Sequence, residues 1–269
     1  MKTFIVNALL VITALLTVMP LVWMISASLM PTGEATLFPP RFLPSAPTIA
    51  HYRELFTRMN FGRSFTNSMI IAAAITLFSL FLNSMAGYAF AKLRFSGRDR
   101  LFNLLVAALV IPTQVGMLPL FLILKSVHLV NSYWGVIFPS MATIFGIFLI
   151  RQFMLSIPDD LLDAARIDGA GEFRIYWSIV MPLARPVLVT LAIFMFMSAW
   201  NDFMWPLIVL TDSARYTLPV AVANLVGEHV QDTELMMASS VLTVLPVLIL
   251  FLALQRHYIA GIMVGSVKG

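Results

Sequence analysis

The chain has no cysteine, only 13 glycines, and charge at just 11% of its 269 positions, where soluble chains carry about a quarter. Without cysteine there is no disulfide framework, no thiolate nucleophile and no Cys-ligated zinc or iron–sulfur site. Thirteen acids and 17 Lys plus Arg are too few to coat a globule of this length, which excludes a soluble enzyme. The pattern Gly-x-x-x-x-Gly-Lys-Ser/Thr is absent and glycine is too sparse for a phosphate cradle, so ATP chemistry is not carried here. Also missing are paired acids inside apolar runs and an apparent repeat of spans, the marks of a transporter driven alone by an ion gradient. His51, His128, His229 and His257 each stand alone, without metal-ligand spacing, and read as surface or interface residues. What is abundant is apolar surface: 60% of residues are hydrophobic. That composition belongs to a membrane protein.

A helix crossing a hydrocarbon core of about 30 Å needs about 20 apolar residues. Six intervals qualify, at about 4–30, 65–91, 101–124, 134–150, 186–210 and 235–254. None alternates as a barrel strand would, so the expected fold is all-α, a single polytopic domain over 1–269 with six transmembrane helices. Pro112, Pro119, Pro139, Pro206 and Pro246 lie inside or at the edges of spans, where each removes a backbone hydrogen bond and kinks the helix. Kinks suit a bundle with a cavity and equally suit plain packing adjustment. The first interval is too long for a cleaved signal peptide.

Basic residues orient the chain. With the N-terminus inside, Lys2, Lys92, Arg94, Arg98, Arg100, Arg151, Arg166, Arg174, Arg185, Arg256 and Lys268 face the cytoplasm. Arg41, Arg53, Arg58, Arg63, Lys125 and Arg215 face outward. The bias predicts N-in and C-in, and the location of these charges, not their net +4, gives no reason to expect nucleic acid.

The most polar stretch is the cytoplasmic loop 151–185. Pro158 suits a first helical turn, Asp159 and Asp160 complement the N-terminal dipole, and Leu161, Leu162, Ala164 and Ala165 supply an apolar side. Gly169 can stop this helix in a left-handed conformation, and Gly171 precedes a second helical stretch from Glu172 to Val180. Pro182 and Pro186 follow at the return to the membrane. Small residues at Ala164, Ala165, Gly169 and Ala170 would let a partner's groove approach closely. A merely solvated connector would show the same periodicity.

Asp163-Ala164-Ala165-Arg166-Ile167-Asp168-Gly169-Ala170-Gly171, then Ile179-Val180-Met181-Pro182, resembles the loop signature of permease subunits of binding-protein-dependent ABC importers. That signature reads Glu-Ala-Ala, three residues, Gly, nine residues, Ile, one residue, Leu-Pro. Asp163 stands where the family has Glu, shortening the reach by a methylene, and Met181 replaces Leu, while the spacing is kept. Ala86 to Phe95, Asn67-Ser68, Ile111-Pro112-Thr113, Trp200-Asn201-Asp202-Phe203, Trp205-Pro206-Leu207 and Tyr216-Thr217-Leu218-Pro219 are similar to the carbohydrate, maltose-type subfamily. So is the tail Val267-Lys268-Gly269, although Ile262-Met263-Val264 departs from it. The resemblance implies a non-catalytic subunit in a bacterial or archaeal cytoplasmic (inner) membrane, forming half of a pore for a sugar or oligosaccharide. Its partners would be a second, non-identical permease, two ATPase subunits that carry ATP and Mg, and an extracytoplasmic solute-binding protein; this chain itself would hold no cofactor. The 158–171 helix would be the coupling helix. Asp163, Ala164, Ala165, Asp168, Gly169, Ala170 and Pro182 are the coupling residues so implied. The alternatives are a permease of the same class for a non-sugar solute and, less favoured by the residues, an ion-gradient-driven secondary transporter.

Charge at membrane depth is costly and points to function. Asp202 is the candidate, about 24 Å along its helix from Pro186 at ~1.5 Å per residue. Asn201, Trp200 and Trp205 beside it offer hydrogen bonds and stacking faces for a sugar, and would serve interfacial anchoring equally well. Asn83 and Gln114 are similar but less supported, and the 17 methionines are scattered as core filling.

Overall fold

The computed structural model describes residues 2–228 and 232–266; His229 and the tail Val267-Lys268-Gly269 lie outside the described residues. Every regular element among the described residues is helical. Helices α1 (Lys2–Ala27), α2 (Ala50–Thr57), α3 (Phe61–Lys92) and α4 (Arg98–Ala108) come first. They are followed by α5 (Met117–Ser126), α6 (Tyr133–Ser140), α7 (Ile144–Met154) and α8 (Asp159–Ile167). The remainder is α9 (Glu172–Ile175), α10 (Met181–Leu183), α11 (Arg185–Trp200), α12 (Met204–Val209), α13 (Leu218–Glu228) and α14 (Thr233–Ser266).

Four stretches are long and apolar enough to cross a membrane, 3–27, 61–92, 133–154 and 233–253, and two bent pairs raise the number to six. The third apolar interval is not one straight rod: α4 and the stretch Thr113–Ser126 meet at 96°. Pro112 has no N–H for the α4 ladder and pushes Ile111 out of helical conformation, so a short 3₁₀ turn at Thr113–Gly116 begins the next segment. The fifth interval stops at Trp200. Pro206 cannot donate to the carbonyl of Asp202 and its ring would strike it, so the helix breaks at 201–203 and restarts as α12. The fourth interval runs on to Met154 through a break at 141–143, where the Thr143 hydroxyl accepts from the Gly146 amide to start α7.

The chain forms two compact units, 1–65 with 217–248, and 66–216 with 249–269. In the first, α1 keeps apolar side chains such as Leu15 and Leu16 exposed over most of its length and buries only its last turn, at Ser26 and Ala27, as a lipid-facing helix does. The loop after it is built on two acids that the span pattern does not single out. Glu34, 5% exposed, accepts from Arg41 and from the amide and hydroxyl of Ser45. Glu234, fully buried, accepts from the Ala35 amide at 2.7 Å. His51, expected as a surface or interface residue, is 3% exposed within this unit, its Nε2 paired with the Met30 carbonyl at 2.9 Å.

The second unit holds its inner core where α3, α7 and α11 meet the loop helices: Tyr88, Ile150, Met154, Leu162, Tyr176 and Leu191 are among its buried members. Gly87 permits this closeness. A Cβ there would lie 2.5 Å from Ile150 Cγ2 and 3.1 Å from the Arg151 amide nitrogen.

Candidate coupling site

Helix α8 begins directly after Pro158, which stands just ahead of the first turn and not inside it. Asp159 and Asp160 occupy that turn, where carboxylates complement the dipole. The helix ends on a reciprocal pair of backbone bonds: the Ala170 amide donates to the Ala165 carbonyl at 2.9 Å and the Gly169 amide to Arg166 at 3.0 Å. That arrangement needs a left-handed residue after the cap, and Gly169 supplies it at φ +82°. The second helical stretch extends past Val180 to Leu183, widening into a π-turn at Tyr176–Val180. Pro182 explains the widening, since it offers no N–H to the Ser178 carbonyl and must be swung away from it.

One side of α8 is sealed into the core by Leu162, 1% exposed, with Ala165 and Ala170 packed against the same cluster. The other side presents Asp163, Ala164, Asp168 and Gly169 to solvent around Ile167, which is 86% exposed. The seven expected coupling residues therefore separate. Four share the exposed face, Ala165 and Ala170 turn toward the core, and Pro182 lies exposed on the following segment. Ile167 was not singled out from sequence. One of three large apolar residues in α8 is a weak signal until the fold buries Leu162, 1% exposed, and leaves Ile167 free.

The start of α8 is tied directly to α3, and its end through Glu172 of α9. Lys92, its side chain 4% exposed, donates to the Ile157 carbonyl and to Asp159 Oδ1, each at 2.6 Å. That hydrogen bond and the ammonium charge hold the Asp159 carboxyl below the ordinary carboxylate range. At the other end the Tyr88 hydroxyl donates to Glu172 Oε2 at 2.7 Å. Arg166 bridges back, donating to Glu172 Oε1 at 2.8 Å and to Asp163 Oδ1 at 2.6 Å. Exposed pairs like these contribute about 0–1 kcal/mol each; their effect is to fix where the helix end sits. Asp163, read as a partner contact, spends one oxygen on Arg166 within the chain. Beneath, the Tyr176 and Ser84 hydroxyls share a 2.7 Å hydrogen bond.

The residues around Asp202 do not form one cluster. Trp200 is fully buried and stacks on Phe196. Asn201 is exposed and donates to the Met197 carbonyl. Asp202 Oδ1 accepts from the Trp205 amide at 3.4 Å, and the Trp205 indole donates to the Gly135 carbonyl at 3.1 Å. Asp202 and Trp205 do line a common cavity of about 450 Å³ with Thr113, Met117, Ser140 and Ser198. It lies beside the breaks at 109–112, 141–143 and 201–203. Asn83 is fully buried, bonded to Ser79 and to the Thr143 amide, and Gln114 is exposed in the 3₁₀ turn. Among the described residues no group of three or more His, Cys, Asp or Glu could hold a metal ion.

Residues 83–264 match the family model described as "Binding-protein-dependent transport system inner membrane component". The arabinooligosaccharides transport system permease protein AraQ of Halalkalibacterium halodurans is 39% identical over 262 residues, covering 95% of this chain and 93% of the relative. The diacetylchitobiose uptake system permease protein NgcG of Streptomyces coelicolor is 31% identical, covering 97% and 88%. A chain from a bacterial ABC transporter involved in the import of the acidic polysaccharide alginate superposes with a TM-score of 0.85 at 25% identity, covering 95% of this chain and 96% of that one.

Proposed function

Because this chain belongs to the family of binding-protein-dependent transport system inner membrane components, we propose that it is a permease subunit of an ATP-driven importer for a sugar or oligosaccharide. In this reading it forms half of the translocation pore with a second permease, receives solute from an extracytoplasmic binding protein, and meets an ATPase through α8. It catalyses no reaction, and ATP with Mg belongs to the ATPase subunits. The N- and C-termini lie in the cytoplasm, on the side of the basic loop 92–100 and of α8. Relatives named for oligosaccharide uptake support the solute class.

The observation that carries the coupling role is the state of Ile167: 86% exposed, away from any span, on a helix pinned at both ends. A large apolar residue on a rigid polar surface is what a partner's pocket buries. Asp163, Ala164, Asp168 and Gly169 surround it as the contact rim, whereas Ala165, Ala170 and Pro182 set the shape of the loop. The cavity beside Asp202 and Trp205 is the part of this chain proposed to meet solute, with Asn201 and Trp200 supporting the break.

The test is affinity purification from native membranes in mild detergent, with co-purifying chains identified by mass spectrometry. An ATPase and a second permease are expected. Ile167→Asp and Ala164→Trp should insert normally and lose the ATPase, since both side chains lie exposed on a helical backbone that any residue can adopt. Retention of the ATPase by both variants would sink the docking role of α8.

A further inference from the structure

Four of the stretches that carry the family resemblance, Asn67-Ser68, Ala86 to Phe95, the loop signature and Tyr216-Thr217, converge on one element. Helix α3 runs without a proline over Phe61–Lys92, about 38 Å from Asn67 to Lys92 at ~1.5 Å per residue. The other spans of the same unit, 98–126, 133–154 and 172–200, are each broken. Broken helices absorb displacement at their joints, while an intact hydrogen-bonded helix moves as a body.

Polar anchors sit at three heights along this rod, and all are buried. At the inner end Lys92 holds the start of α8, and Tyr88 holds Glu172 of α9, which Arg166 links to the end of α8. In the middle, Asn83 accepts from the Thr143 amide at 3.0 Å, at the break between α6 and α7. At the far end Asn67, 3% exposed, uses its amide completely. It donates to the carbonyls of Ala214 at 3.1 Å and Tyr216 at 3.0 Å and accepts from the Tyr133 hydroxyl at 2.6 Å. Polar groups at membrane depth are costly unless satisfied, so each anchor fixes α3 against one specific neighbour. By contrast α8 joins its own chain neighbours through turns, at 155–158 and at the left-handed Gly169.

We propose that α3 is the rod that delivers movement of the coupling helix to the far-side turns at 131–133 and 214–216, with Lys92 and Tyr88 as its input and Asn67 as its output. The proposal rests on the coupling reading of α8 and names the positioning residues that act through it.

The experiment measures ATP hydrolysis and solute uptake together, on the complex purified from native membranes and reconstituted in liposomes. Lys92→Met, Tyr88→Phe and Asn67→Ala should each lower uptake per ATP hydrolysed at least threefold with the ATPase still bound. Lys92→Arg should recover more than half of the loss, and Leu77→Ala, on the exposed side of the same helix, should change nothing. If Asn67→Ala fails to assemble, Tyr88→Phe decides, since it removes one oxygen and keeps the ring. Unchanged uptake per ATP in the assembled variants overturns the proposal. Ile167→Asp separates the two readings: if it sheds the ATPase while the α3 variants stay coupled, only the rod fails. If it keeps both ATPase and uptake, the rod falls with the docking role.

Discussion

Lys92 shows how one side chain sets the geometry of a surface far from its own backbone. Its ammonium is taken almost wholly out of water, 4% exposed, and returns two short hydrogen bonds to the start of α8. The bond from this buried ammonium to the Ile157 carbonyl is costly to leave unmade, whereas the Asp159 half, with its carboxylate 72% exposed, contributes about 0–1 kcal/mol. The Asp159 carboxyl is held below its ordinary value, so the pair's contribution is complete above the unfolded pKa near 4 and is lost as pH falls through the lowered folded value. A spin label on Asp160→Cys, the only thiol in the chain, should report unchanged mobility from pH 8 to 5 and loosening only below about pH 4. Loosening already at pH 6 would contradict that assignment. Asp202 is a second such residue. It both caps a helix through the Trp205 amide and faces the cavity. Asp202→Asn keeps the capping oxygen and removes the charge, so a role in solute contact predicts a change of at least threefold in apparent KM for uptake. A pure cap predicts none.

At the scale of elements, helices here are shaped by what interrupts them. Pro112 and Pro206 break spans that the hydropathy pattern reads as continuous, and Pro182 widens a turn into a π-bulge. Helix α3 is the opposite case, uninterrupted and packed so closely on α7 that Gly87 has no room for a side chain. Gly87→Ala would place a methyl 3.1 Å from backbone nitrogen, which flexible side chains cannot relieve. Overpacking of this kind costs about 1–3 kcal/mol. The expected outcome is a lower thermal midpoint in detergent with transport per ATP retained at low temperature. A midpoint equal to that of the parent chain would show that α7 yields instead.

For the molecule as a whole, the charge pattern and the contacts agree on one grouping. Lys92 lies at the end of α3 next to the basic loop 94–100, and its bonds to Asp159 and Ile157 put α8 on that same side. Because cysteine is absent, single introduced thiols map the topology cleanly. Asp160→Cys and Arg100→Cys should label with an impermeant reagent only in inside-out vesicles, and Arg41→Cys only in right-side-out ones. Labelling of Asp160→Cys and Arg41→Cys from one side would overturn the N-in arrangement.

Much of this was legible in sequence because the deciding physics is local. Six charge-free intervals follow from the cost of polar groups in hydrocarbon, and α8 followed from a proline, two acids and Gly169, with its left-handed stop at φ +82°. The spacing of the loop signature needed no contacts to be seen. Tertiary structure alone decided which face of α8 is free, because Ala164 and Ala165 are identical in composition and differ only in what lies behind them. It also decided the partners of Lys92, Tyr88 and Asn67, whose bonds join positions 65, 84 and 149 residues apart. Burial of Glu34, Glu234 and His51 was likewise out of reach. A charge in a loop reads as solvated until the folded chain brings its donor across, and no periodicity records that meeting.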